Sequence, residues 1–363
     1  MPFPTNSFIF KRTGTIVPNR AVLAAMTNKQ SHSDGKISDE EISWLSRRSE
    51  GSFGIITTAA SHVSKDGQGW EGEIGVFDDK HIERLSILTG LIHKQKSLIF
   101  AQLFHGGMRS PQILTGKQPI SASKIKSKMS KNGYTRSASV RDIKKIINDF
   151  TLAAVRCENS GFDGIELHGA HGYLISQFLG INTNLRKDKW GGSIEGRSKF
   201  LIEIYRSIKE KVSDSLLVGV RISPEIDDIG INLDDALFLS RLLRDEGVDF
   251  IHLSCWDVYS RSKQHPDNPK TLTEWFTQSI KNLPPIISTG NVWSRSDAQY
   301  LIDQGADLVG VARAGIAYPD WAKNLSKNNY DPSRGPFSIK HLKKAGLSDI
   351  FIDYMRNWKN FVK

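Results

Sequence analysis

The stretch DGIELHGAHGYLISQFL, Asp163 to Leu179, carries both halves of the problem. With Phe162 it opens on FDGIELH, a short apolar run of the kind that forms a buried strand. It then sets His168 and His171 three residues apart, with Tyr173 two further on. Imidazoles so spaced on a helical turn share a face and would suit zinc as well as a substrate carbonyl. Seven more runs like FDGIELH decide the fold. They are Ala21–Met26, Phe53–Ala60, Ser97–Phe104, Leu216–Ser223, Val248–Ser254, Pro284–Gly290 and Ala306–Arg313. Amphipathic stretches of helical length lie between them. In SDEEISWLSRRSE, Ser38 is an N-cap with Glu41 three residues on, the pattern of a capping box. RDIKKIINDFTLAAVRCENSG stops at Gly161. Strand and helix alternating eight times predicts parallel pairing through right-handed crossovers, an α/β fold of the (β/α)8 TIM-barrel kind. A doubly wound open sheet is the alternative.

Composition narrows the class. The chain has 363 residues, 39% hydrophobic and 24% charged, and no apolar run long enough to span a bilayer. The expected organisation is a single domain over 1–363, with a basic insertion at 117–145 after the third strand and a helical tail at 330–363. MPFPTNSFIFKRTGTIVPNR lacks the pattern of a secretory signal, so a cytoplasmic protein is expected, with no membrane partner. Two cysteines, Cys157 and Cys255, allow neither a disulfide framework nor a four-cysteine cluster. Redox chemistry would therefore use an organic cofactor. The charge of +10, from 49 basic and 39 acidic residues, invites a nucleic-acid reading. Its lysines cluster between Lys117 and Lys145 without interleaved aromatics or an RNA-binding motif, so no nucleic-acid partner is expected. A solvated loop, or a lid attracting a nicotinamide nucleotide, accounts for them.

In such a barrel, chemistry sits where the strands end. Those positions hold Met26 and Thr27, Ala59 and Ala60, Gln102, His168 and His171, Arg221, Ser254, Gly290, and Ala312 with Arg313. Gly290 and Arg313, after the last two strands, suit a phosphate monoester.

The segments His168–Leu179 and Asn182–Arg197 (NTNLRKDKWGGSIEGR) resemble the old yellow enzyme family of FMN-dependent ene-reductases and NAD(P)H:flavin oxidoreductases. NRAVLAAMTN, AQLFHGG, GVRISPE, TGNV and GVARAGIAYPDW extend the resemblance, in order, over nearly the whole chain. It implies a non-covalent FMN, NADPH or NADH as co-substrate, and an electrophilic alkene as substrate. Arg221 matches the family cation near the flavin N1 and O2. Thr27 matches a position tuning the flavin O4 side, and Gln102 one contacting the pyrimidine edge. The backbone of Ala24, Ala25, Met26 and Ala60 matches segments along the ring, while Gly290, Asn291, Ala312 and Arg313 take the phosphate. By the same resemblance His168 and His171 donate to the substrate carbonyl, stabilising enolate charge as an oxyanion hole does, and Tyr173 protonates the α-carbon.

Departures qualify the match. Lys29 stands where some members carry a substrate-contacting tyrosine, predicting a more cationic pocket. Ala312 replaces a common glycine, and Trp190 and Gly196 replace a tyrosine and an asparagine. Trp256, in the loop SCWDVYSR, is a candidate substrate contact beside Cys255, which reads as buried filler. Two other functions remain: an FMN barrel acting on RNA like a dihydrouridine synthase, disfavoured by the missing cysteine in AQLFHGG, and a non-catalytic flavin carrier. Assembly into a homo-oligomer is left open by the amphipathic tail.

Overall fold

A computed structural model describes residues 2–363. Eight parallel strands close into a barrel. They are β1 (Ala21–Leu23), β2 (Ile55–His62), β3 (Leu98–Phe104), β4 (Gly164–Gly169), β5 (Leu217–Ile222), β6 (Phe250–Ser254), β7 (Ile286–Thr289) and β8 (Leu308–Val311), with β8 paired to β1. Helices α1 (Asp39–Glu50), α2 (Ile82–Lys94), α3 (Val140–Asn159), α4 (Ile194–Lys209), α5 (Leu233–Glu246), α6 (Leu272–Ser279) and α7 (Arg295–Asp303) connect them in turn. The short α8 (Arg313–Ala317) follows β8. The eight expected strands are all present and the open sheet is excluded. β1 ends three residues early, at Leu23, so Ala24 to Thr27 form a loop. β2 runs two further, to His62, across a register shift between Thr57 and Ala60.

Inward-facing residues recur every second position along a strand, so the barrel interior is layered. Its lowest layer is apolar: Val22, Ile55, Phe100, Leu217, Phe250, Ile287 and Leu308 pack together, with Phe10 and Val17 from an N-terminal hairpin closing that end. Burying each such side chain contributes about 1.5–3 kcal/mol. Two residues up, the same strands present Gln102, Gly219, His252, Thr289 and Gly310. Gly219 is glycine because a Cβ there would stand 2.4 Å from the Phe250 ring. Another step up, β5 and β6 present Arg221 and Ser254 at the mouth.

The Ser38 hydroxyl caps α1 by accepting from the Glu41 N–H, but the reciprocal half of the capping box is absent. Glu41 instead accepts from Asn28 Nδ2 and Ser31 Oγ, both at 2.6 Å, and so ties the loop after β1 to α1. Helix α3 does carry a full box, Ser139 with Asp142, and ends before Gly161 at φ +83°. The Lys-rich stretch divides there: residues 140–145 are the first turns of α3, and a short parallel pair, Ile120–Ser121 with Arg136–Ser137, braces the remainder. In the tail, helix Asp349–Met355 packs Phe351 edge-on against Trp44 of α1, with ring centroids 5.3 Å apart. Among the described residues no helix is long and apolar enough to cross a membrane.

Candidate active site

A cavity of about 1040 Å³ opens at the C-terminal ends of the strands. Arg221 lies at its floor, 4% exposed. Its Nη2 donates to Ser254 Oγ at 3.2 Å and Nη1 reaches the Ala25 carbonyl at 3.4 Å, while Nε has no partner among the described residues. Burial lowers its pKa, and the nearby Glu166 carboxylate opposes that shift. A buried guanidinium so sparsely bonded is a socket for an anion.

Ser254 also meets His171, with Oγ 2.7 Å from Nε2. That hydroxyl accepts from Arg221 and keeps its own proton to give; donated to His171 Nε2, it satisfies both groups with a single oxygen. The imidazole then carries its proton on Nδ1 and remains a donor. His171 adopts φ +61°, and its N–H donates to Ser223 Oγ. His168, on β4, is 4% exposed and stands just behind the cavity wall; its Nδ1 accepts from the Ala170 N–H at 3.4 Å, which leaves Nε2 protonated. The two rings meet edge-on with centroids 5.0 Å apart. Burial above all pushes both imidazoles well below the ordinary histidine value, with Arg221 adding to the effect, so both are neutral donors. Tyr173 packs edge-on against Phe104 at 4.5 Å and lies 5.0 Å from His168, under the guanidinium of Arg109. Burial raises its phenol above the usual value and keeps it protonated.

The far end of the cavity gathers Gly290, Asn291, Ala312 and Arg313. Arg313 Nη2 donates to Asn291 Oδ1 at 2.9 Å. Gly290 has no room for a side chain, since a Cβ would stand 2.8 Å from the Asp257 nitrogen. Ala25, Met26 and Thr27 form one wall. Ala24, Ala60 and Gln102 lie outside the lining, buried in the strands or just beyond them. Trp256 lines the mouth, 70% exposed at φ +59°, with its ring 6.1 Å from His171.

One expectation is corrected. Lys29 does not make the pocket cationic: it is exposed, and its ammonium sits 5.5 Å over the ring of Tyr354, which takes the wall position instead. A cation over an aromatic face is held by the ring quadrupole. Tyr354 and Trp358, from the tail, were not anticipated as site residues; nor was Arg109. Their sequence positions carry no barrel signal, and only the folding back of the tail and of the loop after β3 brings them in. Between β3 and α3, Arg109 alone lines the cavity, and none of the residues of the basic insertion from Lys117 to Lys145 does. Gly196 is explained by packing, because a Cβ there would meet the Gly191 carbonyl at 2.1 Å. Trp190 is buried in the same loop, and Cys255 is buried beside Thr273 and Ser288, its thiol pushed up to about 11.

The corner of Gly290, Asn291, Ala312 and Arg313, the sparsely bonded Arg221 at the floor and the Ala25–Thr27 wall fit FMN, and they agree with a flavin-dependent barrel oxidoreductase. The chain's relatives agree. The model of the NADH:flavin oxidoreductase / NADH oxidase family matches residues 10–332, and the chain belongs to that family, the FMN-binding, NAD(P)H-dependent enzymes that include old yellow enzyme. The "Probable NADH-dependent flavin oxidoreductase YqiG" of Bacillus subtilis (strain 168) is 33% identical over 88% of this chain and 87% of its own. An NADH:fumarate oxidoreductase of Klebsiella pneumoniae (strain 342) is 32% identical over 86% of this chain, which spans only 35% of that longer protein. The solved structure of morphinone reductase in complex with tetrahydroNAD superposes with a TM-score of 0.78 at 25% identity, over 96% of this chain and 97% of that one.

Proposed function

We propose that this protein, acting as one FMN-binding unit over its whole length, uses NADPH or NADH to reduce the activated C=C bond of α,β-unsaturated carbonyl compounds. The observation that carries the reading is a neutral His171 and a protonated Tyr173 lining the cavity with a buried arginine, and a neutral His168 packed edge-on against both. FMN, when bound, supplies the carrier that takes hydride from a nicotinamide and passes it to carbon. Arg221 supplies a fixed positive charge where Ala25 and Ser254 hold its fork. His168 and His171 each offer one N–H to the substrate carbonyl oxygen, where negative charge builds as hydride reaches the β-carbon. One such donor is worth about 10²–10³ in rate. Tyr173 delivers a proton to the α-carbon, a role worth about 10²–10⁴. Phe104 and Trp70 flank its ring and limit water there. Relatives named for fumarate and acrylate reduction support a C=C substrate. The protein works in this reading as a soluble cytoplasmic enzyme on small molecules.

Anaerobic NADPH or NADH is expected to bleach the yellow protein, and cyclohexenone to restore its colour. Tyr173→Phe keeps the bleaching and slows the recovery at least about 100-fold. A protein that bleaches but is indifferent to enones in both forms refutes the substrate class, and one that never bleaches is a flavin carrier.

A further inference from the structure

Below the cavity floor, in the second interior layer, a chain of short hydrogen bonds crosses the barrel. Gln102 Nε2 on β3 donates to Glu166 Oε1 on β4 at 2.6 Å. Glu166 Oε2 faces His252 Nδ1 on β6 at 2.6 Å, and His252 Nε2 faces Thr289 Oγ1 on β7 at 2.6 Å. Glu166 is 1% exposed and His252 is fully buried. On β8 the neighbour is Gly310, whose Cβ would stand 1.8 Å from Thr289 Oγ1, so the absence of a side chain there makes room for the chain's last link.

A buried carboxylate costs several kcal/mol unless compensated. The layer beneath shows that this barrel fills with Val, Ile, Leu and Phe when only packing is required. Nor is the charge spent in a direct ion pair with an arginine or lysine: among the described residues, His252 is the one basic side chain within 4.0 Å of Glu166, and Arg221 acts on it through space. Despite burial, His252 and Arg221 hold the Glu166 carboxyl below the usual range, while burial holds the His252 imidazole down and neutral. The polarity of every link follows. An ionised carboxylate only accepts, so Gln102 must turn its NH₂ toward it and leave its carbonyl oxygen free. His252 donates from Nδ1 and accepts from the Thr289 hydroxyl at Nε2. Thr289, Gly310 and Arg221 all line the cavity.

We infer that Glu166 is a positioning residue: it locks the Gln102 amide in the layer on which the cavity floor rests, and its own charge, set beneath Arg221, holds down the reduction potential of the bound cofactor. The inference rests on the assignment of FMN to this cavity. Negative charge reaching the ring on reduction is opposed by a carboxylate below the floor, so removing that carboxylate favours reduction.

The test uses FMN-loaded protein titrated anaerobically against a redox dye, with FMN affinity measured separately by fluorescence quenching. Glu166→Gln keeps the shape and removes the charge. The expected result is at least a tenfold shift of the two-electron equilibrium toward the reduced form, about 30 mV upward. Glu166→Asp keeps the charge and shortens the reach to Gln102. It should weaken FMN binding about tenfold with the potential unchanged. The two variants test the two halves separately, so a failure of one to fold leaves the other decisive. A folded Glu166→Gln with its potential within a factor of two in the equilibrium, or a Glu166→Asp with unaltered FMN affinity, overturns the inference. A wild-type protein that cannot be loaded with FMN removes the cofactor assignment as well, an outcome distinct from unmoved variants of a loaded one.

Discussion

Replacing Ser254 by alanine removes one oxygen that serves two buried groups. Arg221 would keep only its 3.4 Å contact with the Ala25 carbonyl, and His171 Nε2 would lose the partner that now lies 2.7 Å away. A hydrogen bond to a charged group is worth about 1.5–3 kcal/mol, and an orphaned buried acceptor costs about 1–3 kcal/mol. Both losses share one atom, so the joint cost is about 2–4 kcal/mol. With about 2.1 cal/mol/K of unfolding entropy per residue over 363 residues, each kcal/mol lowers Tm by about 1.3 °C, and the fall is about 3–5 °C. The catalytic effect is the larger one. Without the serine proton at Nε2, His171 is no longer confined to the tautomer with Nδ1–H, and the cavity loses much of one carbonyl donor. Allowing for His168, kcat/KM for an enone falls about 10–100-fold, somewhat less than removal of an oxyanion donor outright. Ser254→Thr, which retains the hydroxyl, should recover most of that loss. Steady-state kinetics with cyclohexenone and calorimetry of both variants provide the measurement. If Ser254→Ala matches wild type in kcat/KM, or if threonine rescues nothing, the tautomer argument is wrong.

Gly310→Ala places a Cβ 1.8 Å from Thr289 Oγ1, so the hydroxyl must turn away and give up its bond to His252. Tm should fall by several degrees, and a variant with normal Tm would contradict the layer described. Glu41 is fully buried and its carboxyl is pushed up to about 7 by burial. A folded-state pKa raised above the ordinary 4.5 means stability present below about pH 4.5 and lost as pH rises through about 7, a change of about 3 kcal/mol. Denaturant melts of Glu41→Gln should lack that decline between pH 5 and 8, and identical slopes in both proteins would dispose of the idea. Trp256→Ala, at an exposed mouth position, should raise KM for the alkene about tenfold while changing stability by less than about 0.5 kcal/mol; a large loss of Tm would instead mark Trp256 as a packing residue.

The eight strands, their order and the gathering of Gly290, Asn291, Ala312 and Arg313 at one cavity were legible because each is written locally. An apolar run, a capped helix and a glycine at a turn depend on neighbours a few residues away. So did Arg221, His171 and Tyr173, which stand at or just after strand ends, where a barrel puts its chemistry. Glu41 was misread as the second half of a capping box, since nothing local says that Asn28 and Ser31 will be nearer to it than the backbone of Ser38. Lys29 was misjudged for a related reason. Its partner, Tyr354, lies in a tail that returns to the mouth only after the barrel has closed.

By itself, then, the sequence determined the repeating unit, the closed parallel barrel it builds, and the strand ends at which charge and hydrogen-bond donors gather. The tertiary structure alone decided which of those groups meet. Gln102, Glu166, His252 and Thr289 sit on four different strands, and nothing in any one segment points to the other three. Their hydrogen bonds exist because closure brings the inward positions of every strand to the same height, and a contact across the barrel axis leaves no trace in the local period of either strand.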